Sequence, residues 1–179
     1  MDLIKTDFEG LLIIDTSLVH DNRGSFEKVF NFDLFKENGL HTDYKEFYFS
    51  QSKENVIRGM HFQAPPHDHA KIVSVSSGII EDVVLDIRKN SSTFGHFFRC
   101  RLDAKKGMAL YVPSGFAHGF LSLEDNTVVN YLQTSCYSKT HDMGIRYDSF
   151  GLEWTVKNPI ISERDKSFPD FTNFNTPFQ

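Results

Sequence analysis

His61, Lys71 and His118 are the side chains through which this chain could do chemistry. His61 sits in Arg58-Gly59-Met60-His61-Phe62-Gln63, and His118 in Pro113-Ser114-Gly115-Phe116-Ala117-His118-Gly119-Phe120. Proline fixes one backbone angle and glycine tolerates conformations that other residues avoid, so the second block reads as a tight turn delivering a histidine between two bulky rings. An imidazole titrates near neutrality and can take or give a proton, more effectively when a carboxylate orients it. Arg58 and Lys71 supply positive charge suited to an enolate or phosphate oxygen. His61 follows Arg58 by three residues in a strand-like segment, which points the two to opposite faces unless a bulge intervenes; Gly59 between them permits one. Taken singly, His61 reads as a structural histidine.

A metal site is the competing chemistry. His67-Asp68-His69, with the later Pro-x-Gly-x-x-His pattern ending at His118, resembles the two half-motifs of metal-binding cupins. Those proteins supply a glutamate a few residues after the paired histidines, where this chain has Val73 and Ser74. Three imidazoles can hold a divalent ion, but one ligand is missing, and His67 and His69 read equally as an exposed loop beside Pro65-Pro66. The expectation is no metal, with a metal-dependent cupin enzyme as the alternative.

These residues must be positioned by strands. Ile72–Val75, Ile79–Ile87, Phe97–Leu102 and Val128–Thr134 are short and rich in β-branched or alternating residues. Ser76-Ser77-Gly78, Lys89-Asn90-Ser91-Ser92, Lys105-Lys106-Gly107 and Glu124-Asp125-Asn126 supply turns between them. Such spacing predicts an all-β sandwich or barrel. Asn31 to Gly39 reads as one short helix, and a second turn is expected to start at Ser162, whose Glu163 and Asp165 suit a helix N-terminus. No repeat or linker divides the chain, so residues 1–179 read as a single domain with a peripheral tail from about 168 to 179.

The net charge of −5 and the absence of a basic stripe argue against nucleic acid as a partner, while leaving room for an anionic small molecule in a local cationic pocket. No apolar run approaches membrane-spanning length, and residues 1–6 lack signal-peptide character. Cys100 and Cys136 show no CxxC spacing and read as small buried side chains. The chain is expected in the cytoplasm.

Six blocks together resemble the dTDP-4-dehydrorhamnose 3,5-epimerase family. They are Asp21-Asn22-Arg23-Gly24-Ser25-Phe26; Arg58-Gly59-Met60-His61-Phe62-Gln63 with Pro65-Pro66; Lys71-Ile72-Val73; Asp86-Ile87-Arg88-Lys89-Asn90-Ser91 with Thr93-Phe94-Gly95; Pro113 through Phe120; and Ile161-Ser162-Glu163-Arg164-Asp165. They stand in the family's order across roughly residues 10 to 166. The resemblance implies a cupin-like jelly roll with one or two short peripheral helices. It implies inversion at one or both carbons flanking the ketone of a nucleotide-linked 4-keto-6-deoxy sugar, with dTDP-4-keto-6-deoxyglucose as the default substrate, CDP- or GDP-linked sugars as alternatives, and no cofactor. It also implies a homodimer in which terminal strands add to the partner's sheet. The apolar segment Leu11 to Ile14, otherwise an unprotected edge, is in keeping with that.

By the same resemblance His61 is the base and Asp165 the carboxylate that orients it. Tyr131 protonates from the opposite face, and Lys71 sits against the oxyanion. Arg58 and His118 line the pocket, while Arg23, Phe26, Gln63 and Arg88 match positions that hold the nucleotide diphosphate or sugar. Strand alternation sets Val129, Tyr131 and Gln133 on one face, although Tyr131 alone also reads as a core aromatic. The chain departs from the family at Lys28, commonly a glutamate; at Glu46 and Tyr48, commonly Gln and Asn; at Leu132, often Lys; and at Cys136-Tyr137, a tyrosine pair. These departures touch the substrate shell and leave the acid–base set intact. A binding module that kept the barrel and lost catalysis is the further alternative.

Overall fold

The computed structural model describes residues 1–179. Its strands are β1 (Asp2–Lys5), β2 (Leu12–Asp15), β3 (Val19–Asp21), β4 (Gly24–Phe26), β5 (Glu46–Ser52), β6 (Ile57–Gln63) and β7 (Lys71–Ser77). They continue with β8 (Ile79–Asp86), β9 (Phe97–Asp103), β10 (Met108–Val112), β11 (Phe116–Ser122), β12 (Thr127–Gln133) and β13 (Asp142–Gly144). Helix α1 (Phe32–Glu37) is capped by the Asn31 side chain, and α2 (Glu163–Lys166) by Ser162, as the polar residues at those positions dictate.

One sheet has the order β1-β2-β10-β7-β12-β5 and the other β13-β6-β11-β8-β9, with β3-β4 as a separate hairpin. All pairings within these sheets are antiparallel. The two large sheets face each other as a cupin-like jelly roll. Between them, Val73, Val75, Leu110, Val112 and Val129 of the first meet Ile80, Val84, Leu102, Phe116 and Phe120 of the second. The near-continuous apolar run of β8 has a simple cause: both its faces are covered. Val84 points into the central core, while Val83 and Leu85 pack outward beneath Ile145, Phe150, Leu152 and Phe178. The outer face of the first sheet is likewise closed by Phe35 of α1 against Ile72, Ala109 and Tyr111.

Two expectations change. The tail beyond Phe168 is not merely peripheral, because Phe178 is buried against Phe62 and the second core cluster. Nor is the Leu11–Ile14 segment an open edge, since β2 is paired with β1 on one side and β10 on the other. The sheet's edges are β1 and β5, and β5 exposes Phe47 and Phe49 to solvent, at 64% and 65%.

One local irregularity aims the chemistry. In the β6–β11 pairing His118 faces His61 and Phe120 faces Arg58, so β6 carries one extra residue across that step. Gly59 adopts φ +143°, and a Cβ there would lie 2.5 Å from the Gly119 Cα. Only paired glycines let the backbones approach so closely. The bulge turns Arg58 to the same side as His61, away from Met60, which packs outward.

Candidate active site

A cavity of 540 Å³ opens between the sheets, and its walls come from both. The five-stranded sheet contributes Arg58, His61 and Gln63 from β6 and His118 from β11; the six-stranded sheet contributes Lys71, Tyr131 and Gln133 from β7 and β12, and Tyr48 and Ser50 from β5. Alternation explains the second group. Lys71 shares its strand face with core residues Val73 and Val75, and Tyr131 and Gln133 share theirs with Val129.

His61 Nε2 lies 2.9 Å from Asp165 Oδ1, and the Gly59 amide donates to Asp165 Oδ2 at 3.1 Å. A carboxylate only accepts, so Nε2 carries a proton, and in the neutral imidazole Nδ1 is the atom with the lone pair. Burial pushes the Asp165 carboxyl up, but its hydrogen bonds to His61, Gly59 and Ser162 outweigh that and hold it below the usual value of 3.8. Asp165 is fixed by α2, where its own amide donates to the Ser162 cap at 3.1 Å. Phe168 packs edge-on against the His61 ring.

Opposite them, Lys71 is almost wholly buried, and loss of hydration pushes its ammonium down to about 8, against the pull of Asp82 and Asp142. Asp82, completely buried, accepts from His118 Nε2 at 2.8 Å through Oδ2, while its Oδ1 accepts no hydrogen bond from the protein. Its uncompensated charge is left to favour the Lys71 cation. His118 is itself lowered, burial outweighing its carboxylate. Tyr131 is buried and its phenol is raised above the usual 10, so it holds its proton firmly; its hydroxyl meets Ser50 Oγ at 3.5 Å.

The cavity therefore brings together His61, Lys71, Tyr131, Arg58, Gln63 and His118, with Asp165 behind His61. It does not include Arg23 or Phe26. Both belong to the β3-β4 hairpin, where Arg23 pairs with Asp21 and the Phe26 ring is exposed. Arg88 is likewise elsewhere, bound to Asp86 and lying over the Phe116 ring. The proposed metal set does not assemble either: no three His, Cys, Asp or Glu side chains converge. His69 lines the cavity, burial pushing it down to about 3, whereas His67 packs on His141.

Sequence reasoning missed Asp82, Asp142 and Arg164 as site residues, and marked Tyr48 only as a departure in the substrate shell. Asp82 carried a signal, since a carboxylate within the run from Ile79 to Ile87 is rarely buried without a partner. That Tyr48 lies directly across from Tyr131 could be found only from the pairing itself.

A carboxylate-oriented imidazole on one wall faces a buried ammonium and a phenol on the other. Such a cavity can remove a proton from carbon, hold an oxyanion and return a proton from the far side. A sequence model described as dTDP-4-dehydrorhamnose 3,5-epimerase matches residues 5–173. The chain is 40% identical over 170 residues to a dTDP-4-dehydrorhamnose 3,5-epimerase from Methanothermobacter thermautotrophicus, covering 92% of this chain and 91% of that one. Among solved structures it is similar to a dTDP-6-deoxy-D-glucose-3,5-epimerase from Legionella pneumophila in complex with dTDP-4-keto-L-rhamnose, with TM-score 0.93, 28% identity and 99% and 98% of the two chains covered. It is also similar to a 3'-monoepimerase from Streptomyces bikiniensis in complex with dTDP-quinovose, with TM-score 0.89, 26% identity and coverage of 94% and 87%.

Proposed function

The chain belongs to the dTDP-4-dehydrorhamnose 3,5-epimerase family, and from that membership we propose how its residues divide the work. The protein is an isomerase that epimerises a nucleotide-linked 4-keto-6-deoxy sugar, dTDP-4-keto-6-deoxyglucose, at carbons flanking the ketone. His61 Nδ1 takes the proton next to the carbonyl. The C–H electron pair becomes the enolate double bond, and the carbonyl π pair moves onto oxygen, opposite the Lys71 ammonium. Tyr131 then gives its proton to the carbon from the other face, the enolate collapses to the ketone, and the configuration is inverted. The ketone itself stores the electron pair, so the step needs no redox partner.

The supporting observation is that His61 and Tyr131 stand on opposite walls of one cavity. Arg58 lies on the His61 wall, where a diphosphate or sugar hydroxyls would find a cationic donor, while the neighbouring Gln63 amide is engaged by the His67 and Cys136 carbonyls. Incubation with dTDP-4-keto-6-deoxyglucose in deuterated water is expected to place deuterium next to the ketone, and NMR of the product shows whether one or both carbons invert. Absence of exchange with dTDP-, CDP- and GDP-linked 4-keto sugars alike overturns the assignment.

Residues 1–179 are read as one functional unit and as half of a homodimer with exchanged terminal strands. Two features support the dimer: the apolar edge strand β5, and the exposed hairpin holding Arg23 and Phe26 outside their own chain's cavity. A second copy would bring that hairpin to a site. A cytoplasmic location suits the free thiols Cys100 and Cys136. No helix is long and apolar enough to cross a membrane.

A further inference from the structure

Tyr131 is weakly anchored for a residue that must deliver a proton to one face of a carbon. Its only hydroxyl contact, Ser50 Oγ at 3.5 Å, is well beyond the length of a good O–H···O hydrogen bond. Its ring is held instead. Tyr48 stands directly opposite on β5, and the two rings stack with centroids 4.8 Å apart and planes 18° from parallel. The His118 ring meets Tyr131 edge-on at 6.3 Å. Tyr48 is in turn locked from β12, where Gln133 Nε2 donates to its hydroxyl oxygen at 2.6 Å. The result is a run of side chains on one pleated face, Gln133 to Tyr48 to Tyr131, with Gln133 and Tyr131 two residues apart on the same strand.

We propose that Tyr48 is a positioning residue that fixes the Tyr131 phenol for delivery across the cavity, and so sets how often a deprotonated substrate is inverted rather than returned unchanged. The proposal rests on the epimerase reading above. After His61 breaks the C–H bond, the enolate has two fates. His61 can give back a proton to the same face, restoring the configuration, or Tyr131 can supply one from the opposite face. In deuterated water the first fate gives exchange with retention and the second gives exchange with inversion. A phenol displaced by an ångström loses the second fate and leaves the first.

The experiment follows exchange next to the ketone and inversion together by NMR in deuterated water, for the wild type, Tyr48→Leu and Tyr48→Phe. Tyr48→Leu keeps apolar bulk on a half-open edge strand but removes the stacking plane. It is expected to keep total exchange within about threefold of wild type while inversion falls about tenfold, the size a lost aromatic pair converts to. Tyr48→Phe keeps the ring and is expected to stay within about threefold in both. A Tyr48→Leu protein in which exchange and inversion fall together, or in which their ratio is unchanged, overturns the proposal while leaving the epimerase assignment standing. Wild-type protein that exchanges no proton overturns the assignment and the proposal with it.

Discussion

Asp165 grips His61 Nε2 at 2.9 Å with one carboxylate oxygen while its other oxygen takes the Gly59 amide at 3.1 Å. Both oxygens are committed, so the identity of the atom facing the imidazole is fixed by a backbone donor on the far side. In Asp165→Asn the side-chain oxygen must face the Gly59 N–H, which turns the NH2 group toward His61. The imidazole proton is then driven from Nε2 to Nδ1, the atom that should act as base. Turnover is expected to fall about 10²–10⁴-fold with the thermal midpoint little changed, as for other misdirected histidine tautomers. Steady-state kinetics and thermal unfolding of the variant check this.

Tyr131→Phe removes the donor on the far wall and leaves His61 and Lys71 in place. Deuterium exchange next to the ketone should persist while inversion is lost. Product NMR in deuterated water separates the two, and loss of exchange as well would place Tyr131 in the deprotonation step instead.

The Lys71 ammonium should set the alkaline limit of activity. Its folded-state value is lowered to about 8 from 10.5, so the cation is present below that value and disappears as pH rises through it. A pH–rate profile is expected to fall with an apparent midpoint near 8. For stability the sign is reversed: between about 8 and 10.5 the unfolded chain holds a proton that the folded chain has released, so this group makes folding more favourable as pH rises across that window. Lys71→Met should lose about 10²–10³-fold in turnover, measured by steady-state kinetics at pH 7.

Gly59→Ala tests the bulge. A Cβ at φ +143°, 2.5 Å from the Gly119 Cα, cannot be relieved by rotating a side chain. A cost of about 3 kcal/mol is expected, from backbone strain plus collision, which corresponds to a fall of roughly 6–12 °C in the thermal midpoint for a chain of this length. Calorimetry measures it directly.

Arg23→Ala is expected to raise KM with little change in kcat, even though Arg23 is exposed and outside its own chain's cavity. Mixing it with His61→Ala under conditions that allow subunit exchange should restore activity, since one mixed site would carry an intact hairpin and an intact base. Sedimentation at micromolar concentration checks the dimer independently, and a monomer there contradicts both expectations.

Much of this molecule could be read from short stretches of chain. Polar caps at Asn31 and Ser162, the turns at Gly78 and Gly107, and the two-residue period of β9 and β12 are local effects of backbone sterics and burial. Ordered motifs likewise single out His61, Lys71, Tyr131 and Asp165. Partnership between distant residues was decided elsewhere. Asp165 reaches His61 across 104 positions, Asp82 reaches His118 across 36, and Tyr48 stacks on Tyr131 only because β5 pairs with β12 in one register. A slip of one residue in that register would send Tyr48 to the opposite face. Sheet pairing is a property of the packed whole, so the chain's local preferences supply the groups, and only the closed sandwich decides which of them share a cavity.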